Sequence, residues 1–100
     1  MSEDLRAIYM VNGLIYVAEM SQIQSNEGGI NITRPLAFMP QQGGKMAMME
    51  AFPFSDINDS FHIETTSIVT IANVSDKNIK KQYTDSIKEI RGRQSGLILS

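Results

Sequence analysis

Leu5-Arg6-Ala7-Ile8-Tyr9-Met10-Val11-Asn12-Gly13-Leu14-Ile15-Tyr16-Val17-Ala18-Glu19-Met20 is the stretch on which the fold turns. Two apolar runs, Leu5 to Val11 and Leu14 to Ile23, are rich in β-branched and aromatic residues and flank Asn12-Gly13. Asn-Gly between such runs is the strongest short-range hairpin signal, since both residues accept positive φ. In the second run Leu14, Tyr16, Ala18 and Met20 share one face, and Ile15, Val17 and Glu19 the other. Both faces are largely apolar from 14 to 18, whereas a strand covered on one side alternates cleanly. Something must cover the second face, and a C-terminal helix or a neighbouring subunit would do so.

Outward from the hairpin, strands continue. Ser25-Asn26-Glu27-Gly28-Gly29 is a polar, glycine-rich break. Ile30 to Met39 reads as a third strand, which Pro35 and Pro40 deny a fully paired central ladder. Gln41-Gln42-Gly43-Gly44 makes a tight turn, and Lys45 to Phe54 reads as a fourth strand with Met46, Met48, Phe52 and Phe54 on one face. Pro53 marks a bend, an edge or a bulge. After the polar break Ser55 to Ser60, the segment Phe61 to Val74 holds the last strand, best defined at Ile68-Val69-Thr70-Ile71. Five strands joined by short turns predict a small barrel or sandwich.

At Ser75 the period changes. Ile79, Tyr83, Ile87 and Ile90 recur at helical spacing, with Ser75 placed as N-cap, Asp76 suited to the positive helix end and Gly92 placed as a stop. The expected organisation is one domain: a β-barrel over residues 1–75, with an amphipathic helix and short apolar tail over 76–100.

Composition narrows the function classes. With 100 residues, 42% hydrophobic and 20% charged, the chain has the makeup of a single globular domain. No cysteine is present, so disulfides and thiolate metal sites are excluded. The acidic start Met1-Ser2-Glu3-Asp4 is unlike a signal peptide, and the apolar stretch Ile8 to Ala18 is too short to span a bilayer. The expectation is a cytoplasmic protein without membrane contact. Net charge is −2, but residues 1–75 carry −5 and residues 76–100 carry +3. An acidic chain is a poor avid binder of nucleic acid in general, while the basic tail, Lys80 and Lys81 included, keeps a local phosphate contact open.

Catalytic chemistry finds no footing. His62 is the only histidine, and its plain reading is a strand-end residue making ordinary hydrogen bonds. Asp56, Asn58 and Asp59 fail as a calcium loop, because Phe61 and Ser67 stand where that loop needs Gly and Glu. The glycine pairs lack the Lys-Ser/Thr of a phosphate loop. Neither an enzyme nor a cofactor or metal is expected.

The Asn12-Gly13 hairpin, the loop ending Gly29-Ile30-Asn31-Ile32, and the final strand Ser67-Ile68-Val69-Thr70-Ile71-Ala72 together resemble the Sm-like (LSm) family, closest to short Sm-like proteins of bacteriophages. The resemblance covers most of residues 5–74. It implies a strongly bent five-stranded barrel that assembles edge to edge into a homo-oligomeric ring and binds single-stranded, U- or A-rich RNA, in a host cytoplasm if phage-encoded. Carried over by position, the family's acidic residue falls on Glu27, its base-stacking residue on Gly29 and its apolar-Asn pair on Ile30-Asn31. Asn31 would bond a base edge, with the plain alternative of a turn residue satisfying local backbone. Two departures stand out. Gly29 has no side chain to stack, and Glu64-Thr65-Thr66 replaces the Arg-Gly of the second motif. The Tyr-Lys-His run of the bacterial RNA-chaperone branch has its only counterpart in His62. The resemblance also implies a helix before the first strand, whereas the helix here follows the last. The alternative reading is a ring-shaped scaffold or phage structural component that keeps the fold without the RNA chemistry.

Overall fold

The computed structural model describes residues 5–20, 28–40, 43 and 46–99. They form an antiparallel six-stranded sheet and one C-terminal helix: β1 Leu5–Met10, β2 Ile15–Glu19, β3 Gly29–Pro40, β4 Met46–Glu50, β5 Ser60–Glu64, β6 Ile68–Asn73 and α1 Lys77–Leu99. The strand count is therefore six rather than the expected five. The stretch 51–59 leaves the ladder after Glu50 and returns at Ser60, so β4 and β5 lie in turn along the same edge of β3. Phe52 and Phe54 are accordingly not on β4. Phe52 turns inward to stack on Phe61, ring centres 4.8 Å apart, and Phe54 stands fully exposed.

The hairpin forms where expected, with a different turn. Gly13 N–H donates to the Met10 carbonyl (3.0 Å) and Met10 N–H to the Leu14 carbonyl (2.9 Å), leaving a three-residue loop. Only Gly13 of the Asn-Gly pair takes positive φ, at 90°. This is a turn followed by one left-handed residue, and Asn12 contributes its Oδ1, which accepts the Leu14 N–H at 3.0 Å.

β3 is an interior strand, with β2 on one edge and β4 and β5 on the other. Pro35 does not exclude that position, because the ladder breaks around it. Val17 pairs with Leu36, yet Glu19 pairs with Thr33, so Arg34 and Pro35 together oppose Ala18. That is a β-bulge, and Arg34 takes φ 50°, the one non-glycine residue with positive φ among those described. On the other edge β5 pairing ends at Thr33 and β4 pairing begins at Leu36. The missing proline N–H thus falls where no partner needs it.

Two apolar layers result. Ile8, Ala18, Met20, Ile30, Ile32 and Ile63 form one cluster, flanked by Tyr16, Phe61, Ile68 and Ile71. β5, on the outer edge of β3, and β6, at the other end of the sheet, both contribute to it, so the sheet curls around this core. The opposite face carries Leu5, Val17 and Leu36, onto which Tyr83, Ile87 and Ile90 of α1 pack. The second apolar face of β2 is thus covered by the helix, the first of the two expected solutions.

The helix starts one residue later than the sequence reading places it and runs well past the expected stop. Asp76, not Ser75, is the N-cap: its Oδ1 accepts from Asn78 N–H (2.8 Å) and Ile79 N–H (3.2 Å). Gly92 does not end the helix, which runs on to Leu99. A glycine stops a helix by turning left-handed, and Gly92 keeps a right-handed φ with no proline behind it. No helix among the described residues is long and apolar enough to cross a membrane.

Candidate nucleic-acid interface

Strand alternation places Gly29, Asn31 and Thr33 on the outer face of β3, opposite the inward Ile30 and Ile32. Antiparallel register sets Gly29 against Glu64, Asn31 against His62 and Thr33 against Ser60. Residues some thirty positions apart in the chain therefore meet side by side. His62 Nδ1 lies 3.2 Å from Asn31 Oδ1, and His62 Nε2 lies 2.7 Å from Glu64 Oε2. Each ring nitrogen of His62 is thereby engaged. Thr65, in the 3₁₀ turn that follows β5, donates its hydroxyl to the Gly28 carbonyl at 2.6 Å. That bond ties the end of β5 to the entry of β3.

Of the residues singled out from sequence, Gly29, Asn31 and His62 come together here. Glu27 lies outside the described residues. Lys80 and Lys81 sit on α1, whose apolar stripe packs on the other half of the outer face; Lys81 pairs with Asp85 at 2.9 Å, an i,i+4 pair in solvent. The basic helix face and the Asn31 cluster are thus separate features. Sequence reasoning does not single out Glu64 as a partner, although its i,i+2 spacing from His62 on one strand is the available signal.

A second polar group, at the bulge, holds the site's strand in place. Arg34 donates to both Glu19 oxygens, from Nε at 2.7 Å and from Nη2 at 2.8 Å, and from Nη1 to Asn58 Oδ1 at 3.2 Å. Tyr83 donates its hydroxyl to the Arg34 carbonyl at 2.7 Å. The Arg34 hydrogen bonds hold the Glu19 carboxyl below the usual carboxylate range, against burial, which acts the other way. Burial, helped by the Glu19 charge, pushes the Tyr83 hydroxyl well above its ordinary value, so it stays a donor. Asp56 caps its own turn, accepting from Asn58 N–H at 2.8 Å, and Asp56-Ile57-Asn58 is an Asx turn.

No protein-family model matches this chain, and no curated protein matches it. A flat ring, an amide and a carboxylate in one exposed row supply a stacking surface, donors and acceptors. Among the described residues, no lysine or arginine belongs to the row.

Proposed function

We propose that this chain is an Sm-like protein whose curled sheet closes into a small barrel, whose copies join edge to edge into a homo-oligomeric ring, and whose Gly29–Asn31–His62 cluster binds single-stranded RNA. The observation that carries the reading is the cluster itself. The resemblance marks positions 29 and 31, and pairing of β3 with β5 adds His62, which the family's chaperone branch also uses. The strand order supports it as well. Taking β4 and β5 as two halves of one interrupted strand, the order becomes β6-β1-β2-β3-β4/5, five strands deep. Such an arrangement leaves an outer edge on β6 and another on β4/5, the two edges that a head-to-tail ring pairs.

Glu64 favours the alternative, a ring-shaped scaffold without RNA. It sets a carboxylate where the resemblance implies an arginine for phosphate, and like charge repels the backbone.

Titration of U-, A- and mixed-sequence oligoribonucleotides at two salt concentrations tests the RNA reading, alongside light scattering after size exclusion. The expected results are binding that prefers one sequence and a mass several times 11.1 kDa. A clean monomer at micromolar concentration refutes the ring. A ring that binds no oligoribonucleotide even at low salt makes the scaffold the better account.

A further inference from the structure

Position 29 lacks the stacking side chain that the resemblance implies, and the packing around it offers a substitute. A Cβ built on Gly29 would overlap His62 Nε2 and Cε1 and would lie 2.7 Å from the Ile63 carbonyl oxygen. The space a side chain at 29 would fill is therefore held by the imidazole reaching across from β5.

We propose that His62 supplies the base-stacking surface of this site, taking an unstacked nucleobase of single-stranded RNA on the ring that lies over Gly29. The inference rests on the RNA reading above and assigns the role within it. Three observations support it. First, the ring is held at both nitrogens, by Asn31 and by Glu64, so little side-chain freedom remains to be lost when a base settles on it. Second, with one side against Gly29, the side chain is still 43% exposed, which leaves ring surface open to a ligand. Third, Gly29 is itself buried. Its lack of a side chain is what leaves room for the imidazole, so the glycine is part of the site and not a gap in it.

The division of labour follows from the chemistry. Every base has a π face, so stacking on His62 adds affinity with little regard to sequence. Whichever end of the Asn31 amide meets Nδ1, the other end is left for a base edge, and the sequence preference comes from there.

The test uses the full-length protein and short oligoribonucleotides carrying 2-aminopurine, whose fluorescence is quenched by stacking. Circular dichroism and light scattering confirm that each variant keeps the fold and mass of the wild type. His62→Ala is expected to weaken U- and A-rich oligomers alike, by about 5- to 150-fold at fixed salt, and to abolish the quench. His62→Phe keeps a flat ring without the hydrogen bonds and is expected to recover most of the affinity and the quench. His62→Asn keeps a polar group without the ring and is expected to stay weak. Wild-type protein that binds no oligomer overturns the RNA reading and this assignment with it. Wild-type binding that His62→Ala leaves unchanged overturns the assignment alone. Recovery by Asn in place of Phe makes His62 a hydrogen-bonding residue and refutes the stacking role.

Discussion

Truncating Ile87 to alanine tests whether α1 is part of the folded core or an appendage to it. Ile87 is 6% exposed and belongs to the cluster of Leu5, Val17, Leu36, Ile57, Tyr83 and Ile90. The substitution removes three buried carbons, worth about 2.4 kcal/mol at about 0.8 kcal/mol each. A cavity adds to that, but a helix lying on the surface of the sheet settles into part of it. The expected loss is about 2.5–3.5 kcal/mol, inside the range of about 2–5 for buried isoleucine truncations. For a domain of this size each kcal/mol moves Tm by about 4–8 °C, so melting should fall by about 10–28 °C. Lys81→Ala is the control: it removes one exposed i,i+4 ion pair and should change stability by less than about 0.5 kcal/mol. Urea unfolding followed by circular dichroism, at one protein concentration for all variants, reads both. Equal and small losses at the two positions would refute the docked helix, and with it the account of how the second face of β2 is covered.

Other outcomes follow from the bulge, the hairpin and the helix surface. Tyr83→Phe removes the hydroxyl that donates to the Arg34 carbonyl and should cost about 1–3 kcal/mol in the same urea assay, with the helix still formed. Glu19 has a depressed folded pKa, so its ion pair stabilises the fold above the unfolded carboxyl value of about 4.3 and that contribution is lost as pH falls through the lower folded value. Wild type should therefore lose stability more steeply than Glu19→Gln in urea titrations run from about pH 5 down to about pH 2; parallel curves would refute the coupling. Gly13→Ala places a Cβ at φ 90° and should cost about 1–2 kcal/mol by thermal melting. In the RNA titration, Asn31→Ala should weaken the preferred sequence more than others. Lys80→Ala with Lys81→Ala should weaken all sequences alike and flatten the salt slope by about 0.7 for each phosphate no longer neutralised.

The parts of the fold legible in the sequence are those set by local periodicity. The hairpin around Gly13, the doubly apolar β2 and the stripe Tyr83, Ile87 and Ile90 all follow from neighbours within four positions. Where tertiary pairing decides, the pattern misleads. Ala51 to Phe54 continues the alternation of β4, yet the chain departs there, and Phe52 stacks on Phe61 of β5. The bulge at Arg34 is likewise silent, since Ile30, Ile32, Leu36 and Phe38 keep an even spacing that suggests one face. In the folded chain the first two point inward and the last two lie under or beside the helix. Half of the site is readable for the same reason. Gly29 and Asn31 lie on one short segment, but their meeting with His62 and Glu64 depends on a register that no local window contains.

The extra residue in β3 also bears on how the strand tolerates changes of length. Deleting Arg34 would restore unbroken alternation between Thr33 and Leu36, leaving each apolar side chain of β3 on the face it occupies now. Hydrophobic sorting would not register the loss; curvature, the guanidinium clamp and the carbonyl that accepts from Tyr83 would go. The same one-residue deletion inside β2, at Tyr16 for instance, would turn every residue on one side of it to the opposite face. Two adjacent strands of one ladder thus respond oppositely to the same edit, and a shortened β3 should still fold as a flatter sheet where a shortened β2 does not fold.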